Sequence, residues 1–100
     1  MTAQHVLELA VCTVRDKKAA LVARNRAMQA AVSRYPGFVS WRAVTACEMT
    51  DLLADLVEWE TLDAAEAAGE RVLNDPEFTP YMAAVTRVRL MQHFVTERQI

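Results

Sequence analysis

Four segments rich in aliphatic and β-branched residues occur along the chain, with an alanine-rich segment after the first and after the third, and this order restricts the possible folds. Short apolar runs of this kind are typical of β-strands. We predict strands at residues 6–14, 38–47, 52–60 and 87–96. The mostly polar stretch 48–51 joins the second strand to the third, which predicts a hairpin.

A first amphipathic helix is predicted between strands one and two. Residues 17–35 place their apolar side chains on one stripe at helical spacing. Asp16 is the predicted N-cap of this helix, because its side chain can accept a hydrogen bond from a free backbone amide. Pro36 and Gly37 end the helix and turn the chain.

A second helix is predicted between strands three and four. Residues 63–73 are rich in alanine, and Asp63 with Glu66 three positions later predicts a capping box at the helix start. Pro76 interrupts this helix and suits the first position of a short helical turn. Residues 80–86 then continue as helix into the last strand.

The resulting order, β-α-β-β-α-β, predicts an α+β fold of ferredoxin-like topology in a single domain, residues 1–100. In this topology strands one and three are central, and both helices cover one face of the sheet. The other face then needs a cover of its own. Since 53% of the residues are hydrophobic, we expect a homodimer in which two sheets pack as a dimeric α+β barrel.

The composition argues against several classes of function. The net charge is −2 and no basic stripe is present, so we expect no nucleic-acid partner. No apolar run approaches the length of a membrane span, and no signal peptide precedes the first strand, so we expect a cytoplasmic protein without a membrane partner. The two cysteines predict no disulfide framework. No phosphate-binding loop or nucleophile elbow is found, and we expect no cofactor.

Several short motifs resemble the antibiotic-biosynthesis-monooxygenase superfamily when they are taken in order. These are VLEL in strand one, YPGF at residues 35–38, Trp59 followed by ETLDAAEAA, DPEFTPYM, and MQHF in strand four. The resemblance implies a homodimeric barrel. Some members oxidise aromatic polyketides without metal or flavin, some degrade haem, and many have no known activity. Ala68 stands where many members carry a histidine on helix two, so the resemblance is to an uncharacterised branch rather than to the haem-degrading one.

Polar residues on alternate strand positions predict a site. Glu8, Asp55 and His93 are predicted to meet in one layer on the barrel side of the sheet, while the bulkier aliphatic sets face the helices. A histidine held by a carboxylate is a usable general base near neutral pH. These three residues are therefore the catalytic candidates. The candidates for substrate binding are Trp59 as an aromatic wall, Arg42 as a partner for an oxyanion, and Met91.

Each candidate also has a structural interpretation. Glu8 can be a cross-strand partner of His93, and Asp55 can be an ion-pair partner of Arg42. Trp59 and Met91 can be core residues. A metal at these carboxylates is not expected, because no ligand spacing supports it. Two functions remain open: a cofactor-independent monooxygenase or related enzyme on an aromatic or hydrophobic substrate, and a non-catalytic homodimer that binds a small ligand.

Overall fold

The computed structural model describes residues 4–100, which form a four-stranded antiparallel sheet and three helices. The elements in chain order are β1 (Val6–Val14), α1 (Lys17–Ala30), a 3₁₀ turn (Val32–Arg34), β2 (Phe38–Thr45), β3 (Leu52–Trp59), α2 (Leu62–Val72), α3 (Thr79–Ala84) and β4 (Val85–Val95). The strands lie in the order β2-β3-β1-β4. The predicted α+β ferredoxin-like arrangement is confirmed.

The helix ends differ in part from the prediction. Asp16 caps α1 as expected, since its Oδ1 accepts from the Ala19 amide at 3.3 Å. The helix ends at Ala30, and the chain tightens into the 3₁₀ turn before Tyr35. The predicted capping box at Asp63 is wrong. Thr61 is the N-cap of α2, because its Oγ1 accepts from the Ala64 amide at 3.0 Å.

The helices cover the face of the sheet that was predicted to be the barrel side. Val57 and Trp59 of β3 are buried in one core cluster with Met28 of α1 and Ala68 of α2. Because Glu8 lies opposite Val57 in the register of β1 and β3, Glu8 and Asp55 share this covered face. The predicted orientation of the sheet is therefore wrong, although the grouping of these residues on one face is correct.

Side-chain size explains the reversed orientation. The helices present alanines to the sheet, and Ala20 and Ala27 are fully buried. Small side chains on the helices leave room for larger ones from the sheet, and Leu53, Val57 and Trp59 of β3 are the largest fully buried side chains. Leu7, Leu9 and Leu56 lie on the uncovered face and are partly exposed in a single chain.

A β-bulge in β4 changes which of its residues share a face. Val11 lies opposite Leu90, whereas the next residue, Cys12, lies opposite Val88, so Arg89 is the extra residue. Val88 therefore lies on the same face as Met91 and His93. Strict alternation from Met91 and His93 would place Val88 on the opposite face.

In the described part of the chain, no helix is long and apolar enough to cross a membrane.

Gly37 is required by the contact between the turn before β2 and helix α2. Its φ is +83°, and a Cβ atom there would lie 2.5 Å from the Ala64 Cβ. We expect Gly37→Ala to lower the free energy of unfolding by about 2–3 kcal/mol, from the left-handed backbone and the steric overlap together. Urea unfolding followed by circular dichroism measures this loss.

Gly69 offers the matched control for that substitution. It lies within α2, and a Cβ atom there would meet nothing within 4 Å. We expect Gly69→Ala to raise the free energy of unfolding by about 0.5–1 kcal/mol, because alanine loses less backbone entropy in a helix. Equal stabilities for the two variants would contradict the packing assigned to Gly37.

Candidate active site between the sheet and the helices

A cavity of about 540 Å³ lies between the sheet and the helices. This volume is within the range of about 300–1,000 Å³ that is usual for small-molecule sites. Most of its wall is apolar. The helix and loop residues that contribute include Met28, Val32, Ala68, Phe78 and Tyr81.

Glu8 projects from β1 into the cavity wall. The Trp59 Nε1 donates to the Glu8 Oε1 at 3.2 Å, and the His93 Nε2 lies 3.5 Å from the same oxygen. Burial raises the pKa of Glu8 above its ordinary value, and the neighbouring His93 and Trp59 oppose this rise. The raised pKa makes the Glu8 carboxylate a stronger base than a glutamate in water.

His93 lies directly opposite Glu8 in the pairing of β1 with β4. Its Nε2 atom is buried and makes no hydrogen bond within residues 4–100, so its contact with Glu8 is a close approach rather than a formed hydrogen bond. A buried ring nitrogen of this kind has capacity for a further partner. The imidazole is thus placed beside the carboxylate that borders the cavity.

Asp55 lies further along the same covered face and is held by three side chains. The Trp41 Nε1 donates to the Asp55 Oδ1 at 2.8 Å, and an Arg24 guanidinium nitrogen lies 3.5 Å from that oxygen. The Tyr81 hydroxyl donates to the Asp55 Oδ2 at 3.4 Å. Burial raises the pKa of Asp55, and the Trp41 hydrogen bond and the Arg24 charge oppose it. The charge of Asp55 therefore has a buried arginine as its counterion, whereas Glu8 has no arginine or lysine partner within residues 4–100.

Of the three candidates for substrate binding, Trp59 and Met91 line the cavity and Arg42 does not. Trp59 is buried and lines the cavity, and Met91 lies at the cavity mouth with 42% of its surface exposed. Arg42 lies opposite Leu56 in the pairing of β2 with β3, on the uncovered face. The expectation that Arg42 lies near these carboxylates is therefore wrong, because the sheet separates it from the cavity. The alternative pairing of Asp55 with Arg42 is wrong for the same reason.

Three partners of Asp55 were missed in the sequence, and they are Arg24, Trp41 and Tyr81. Arg24 on α1 is 3% exposed and is the ion-pair partner of Asp55. Its position on the margin of the apolar stripe of residues 17–35 was the available signal, since a cation beside a buried face needs a buried anion. Tyr81 of α3 had no comparable signal, because its contact with Asp55 depends on how α3 packs on the sheet.

Among the described residues, no cluster of three or more His, Cys, Asp or Glu could hold a metal ion.

Solved structures of the same architecture place the chain among known folds. SnoaB, a cofactor-independent oxygenase from Streptomyces nogalater, is 24% identical, with 98% of this chain and 97% of that chain covered and a TM-score of 0.70. A protein from Bordetella bronchiseptica that is assigned to the antibiotic biosynthesis monooxygenases is 15% identical, with 97% and 98% covered and a TM-score of 0.78. The chain has the fold of the antibiotic biosynthesis monooxygenases.

A third structure of this antibiotic biosynthesis monooxygenase fold extends the comparison. The protein from Chloroflexus aurantiacus, assigned to the same group, is 12% identical, with 96% of each chain covered and a TM-score of 0.70. No family model matches the sequence, and no curated protein matches it significantly. The resemblance in the sequence motifs is thus confirmed for the fold.

Proposed function

We propose that the protein is a cofactor-independent monooxygenase that acts on a small aromatic substrate in the cavity. The observation that carries this proposal is the Glu8–His93 pair at the wall of a largely apolar cavity. The cofactor-independent activity stated for SnoaB, which shares the fold, supports it. The apolar wall suits both an aromatic ring and molecular oxygen, and it keeps water from the reacting carbon.

Glu8 is the proposed proton acceptor. The residue lines the cavity, its pKa is raised, and within residues 4–100 it pairs with neither a lysine nor an arginine. His93, at 3.5 Å, can take up positive charge and stabilise the carboxylate, or accept the proton from it. Asp55 was expected to share this role, but its pairing with Arg24 and Trp41 favours substrate binding instead. We assign Trp59 and Met91 to contacts with the aromatic ring.

The proposed reaction balances without a further reductant. Glu8 removes a proton from an activated CH₂ carbon of the substrate, and the resulting carbanion transfers electrons to O₂ and forms a carbon–oxygen bond. Return of the proton gives a hydroperoxide. Loss of the second proton from the same carbon then breaks the oxygen–oxygen bond. One oxygen atom remains as the carbonyl of the product, and the other leaves as water.

Oxygen uptake with anthrone as substrate tests this function. We expect one O₂ to be consumed for each quinone formed, above the spontaneous rate and without release of hydrogen peroxide. Calorimetry with the same compound under nitrogen measures binding separately. If anthrone binds but the protein does not accelerate oxygen uptake, the chain is a non-catalytic ligand-binding protein and the enzyme proposal fails.

We also propose that two copies of the chain pair through the uncovered sheet face. Leu7, Leu9 and Leu56 lie on this face with Leu90 and Phe94 of β4, which are 39% and 47% exposed. Several large apolar side chains exposed together on one face of so small a domain are typical of an interface between subunits. The face is available to a second copy because the helices and the cavity lie on the opposite side.

A substitution at the centre of that face tests the pairing. We expect wild type to sediment as a dimer at micromolar concentration and Leu9→Glu to sediment as a folded monomer, because a charge on a buried interface must be desolvated. Val22→Glu is the control, since Val22 lies on α1 and is 69% exposed. A monomeric wild type, or loss of pairing in both variants, would exclude this interface.

A further inference from the structure

Tyr81 lines the cavity, and its hydroxyl makes only long hydrogen-bond contacts among the described residues. It is 3.4 Å from the Asp55 Oδ2 and 3.4 Å from the Cys12 Sγ, while the residue is only 5% exposed. Hydrogen bonds between oxygen atoms usually measure about 2.7–2.8 Å, and sulfur is a weak partner. Tyr35 shows the contrast, because its hydroxyl donates to Asp75 at 2.6 Å.

The Asp55 carboxylate is also unevenly bonded. Its Oδ1 accepts from Trp41 at 2.8 Å and faces Arg24. Its Oδ2 has only the long contact with Tyr81 within residues 4–100. Both residues line the cavity, and the Tyr81 ring makes an edge-to-face contact with Phe78. A hydrogen-bond donor and an acceptor are thus presented side by side, each without a short partner.

We infer that Asp55 and Tyr81 form a second polar subsite, which binds a hydroxyl group of the ligand. The ligand hydroxyl donates to the Asp55 Oδ2 and accepts from the Tyr81 hydroxyl. A carbonyl or an ether oxygen at the same place can only accept, so it uses Tyr81 alone. The subsite therefore favours a hydroxyl over these groups, since a hydroxyl satisfies both partners.

The distance to Glu8 gives the class of ligand. Asp55 lies opposite Ala10, two residues from Glu8 along β1. Diagonal positions of this kind are about 7–8 Å apart across a strand pair. A fused-ring aromatic skeleton spans such a distance, with the carbon that loses its proton near Glu8 and a hydroxyl on the opposite ring at Asp55. This inference rests on the proposed monooxygenase and specifies its substrate as a hydroxylated fused-ring aromatic compound.

Calorimetry with three naphthalene derivatives tests the subsite. The ligands are a naphthol, the same naphthol with a methoxy group on the opposite ring, and the corresponding dihydroxynaphthalene. We expect wild type to bind the diol about tenfold more tightly than the naphthol, with the methoxy compound between them. In Tyr81→Phe we expect the methoxy compound to bind no more tightly than the naphthol. The diol should still bind more tightly than the naphthol, but only by the part of the affinity that its hydrogen bond to Asp55 supplies.

Tyr35→Phe is the control, because it also removes a tyrosine hydroxyl from the helical layer but not from the cavity wall. We expect this variant to keep the wild-type order of affinities. Equal affinities of the three ligands for wild type, or an unchanged order in Tyr81→Phe, would overturn the subsite. If no ligand binds, the subsite and the aromatic cavity both fail. If the order is as expected but oxygen uptake is absent, the monooxygenase proposal alone fails.

Discussion

Glu8→Gln is expected to lower the rate of oxygen uptake by about 10²–10⁴-fold, the usual contribution of a general base. Glutamine has almost the same shape as glutamate and can still accept from the Trp59 indole, which is 3.2 Å away in wild type. The substitution therefore removes the basic group without opening a cavity. Oxygen uptake under single-turnover conditions measures the effect on the chemical step.

The pH dependence of that rate gives a second readout. Because the pKa of Glu8 is raised by burial, we expect the wild-type rate to rise with pH through a value above that of an ordinary glutamate. The residual rate of Glu8→Gln should lack this step. A pH profile that is identical in the two proteins would remove Glu8 from the proton transfer.

The stability of Glu8→Gln should change in the opposite sense to its activity. The folded-state pKa of Glu8 is raised, so protonated Glu8 contributes stability at low pH that is lost as the pH rises through that pKa. At neutral pH wild type carries a buried carboxylate that the variant does not. We therefore expect the variant to be the more stable protein at pH 7 and to lose this advantage in acid, as urea unfolding at both pH values would show.

Glu58→Gln is the matched control for the loss of a glutamate from the sheet. Glu58 lies on β3 next to Trp59, but it points to the uncovered face and binds His5 at 2.6 Å. We expect this variant to keep the wild-type rate and pH profile. A fall in rate equal to that of Glu8→Gln would show that sheet stability, rather than the base, sets the activity.

Arg24→Met is expected to lower the free energy of unfolding by about 3–5 kcal/mol, the usual cost of removing one partner of a buried ion pair. Arg24 is 3% exposed, and it faces Asp55 and two backbone carbonyls at 3.4–3.5 Å. Without it, Asp55 is a buried carboxylate with no cation. Its raised pKa should rise further, so the defect should shrink as the pH is lowered and Asp55 takes up a proton.

Two further variants separate the loss of stability caused by the unpaired charge from the loss caused by packing. Arg24→Met combined with Asp55→Asn should recover most of the lost stability, since the amide still accepts from Trp41 and no buried charge remains. Arg26→Met removes an arginine from the same helix whose side chain is 69% exposed and paired with Glu77. We expect it to cost less than about 1 kcal/mol. Equal losses for Arg24→Met and Arg26→Met would refute the buried pair.

Local sequence patterns predict most of the fold because they act over a few residues. The bounds of β1, the cap at Asp16 and the turn at Gly37 follow from apolar runs, a short polar side chain and a glycine that tolerates positive φ. The capping box at Asp63 failed because Thr61, two residues earlier, supplies the hydroxyl that the helix start uses. Which of two nearby residues becomes the N-cap of a helix depends on where the preceding strand ends.

The grouping of Glu8 and Asp55 on one face can be predicted from the sequence, because side chains alternate between faces along each strand, and the register of β1 with β3 confirms it. Which face the helices cover does not follow. It depends on how the helices pack on the sheet, which buries Leu53, Val57 and Trp59 of β3 and places the carboxylates against a cavity. The β-bulge at Arg89 and the contacts of Arg24 and Tyr81 with Asp55 are likewise products of tertiary packing, since residues far apart in the chain meet there only after the helices dock.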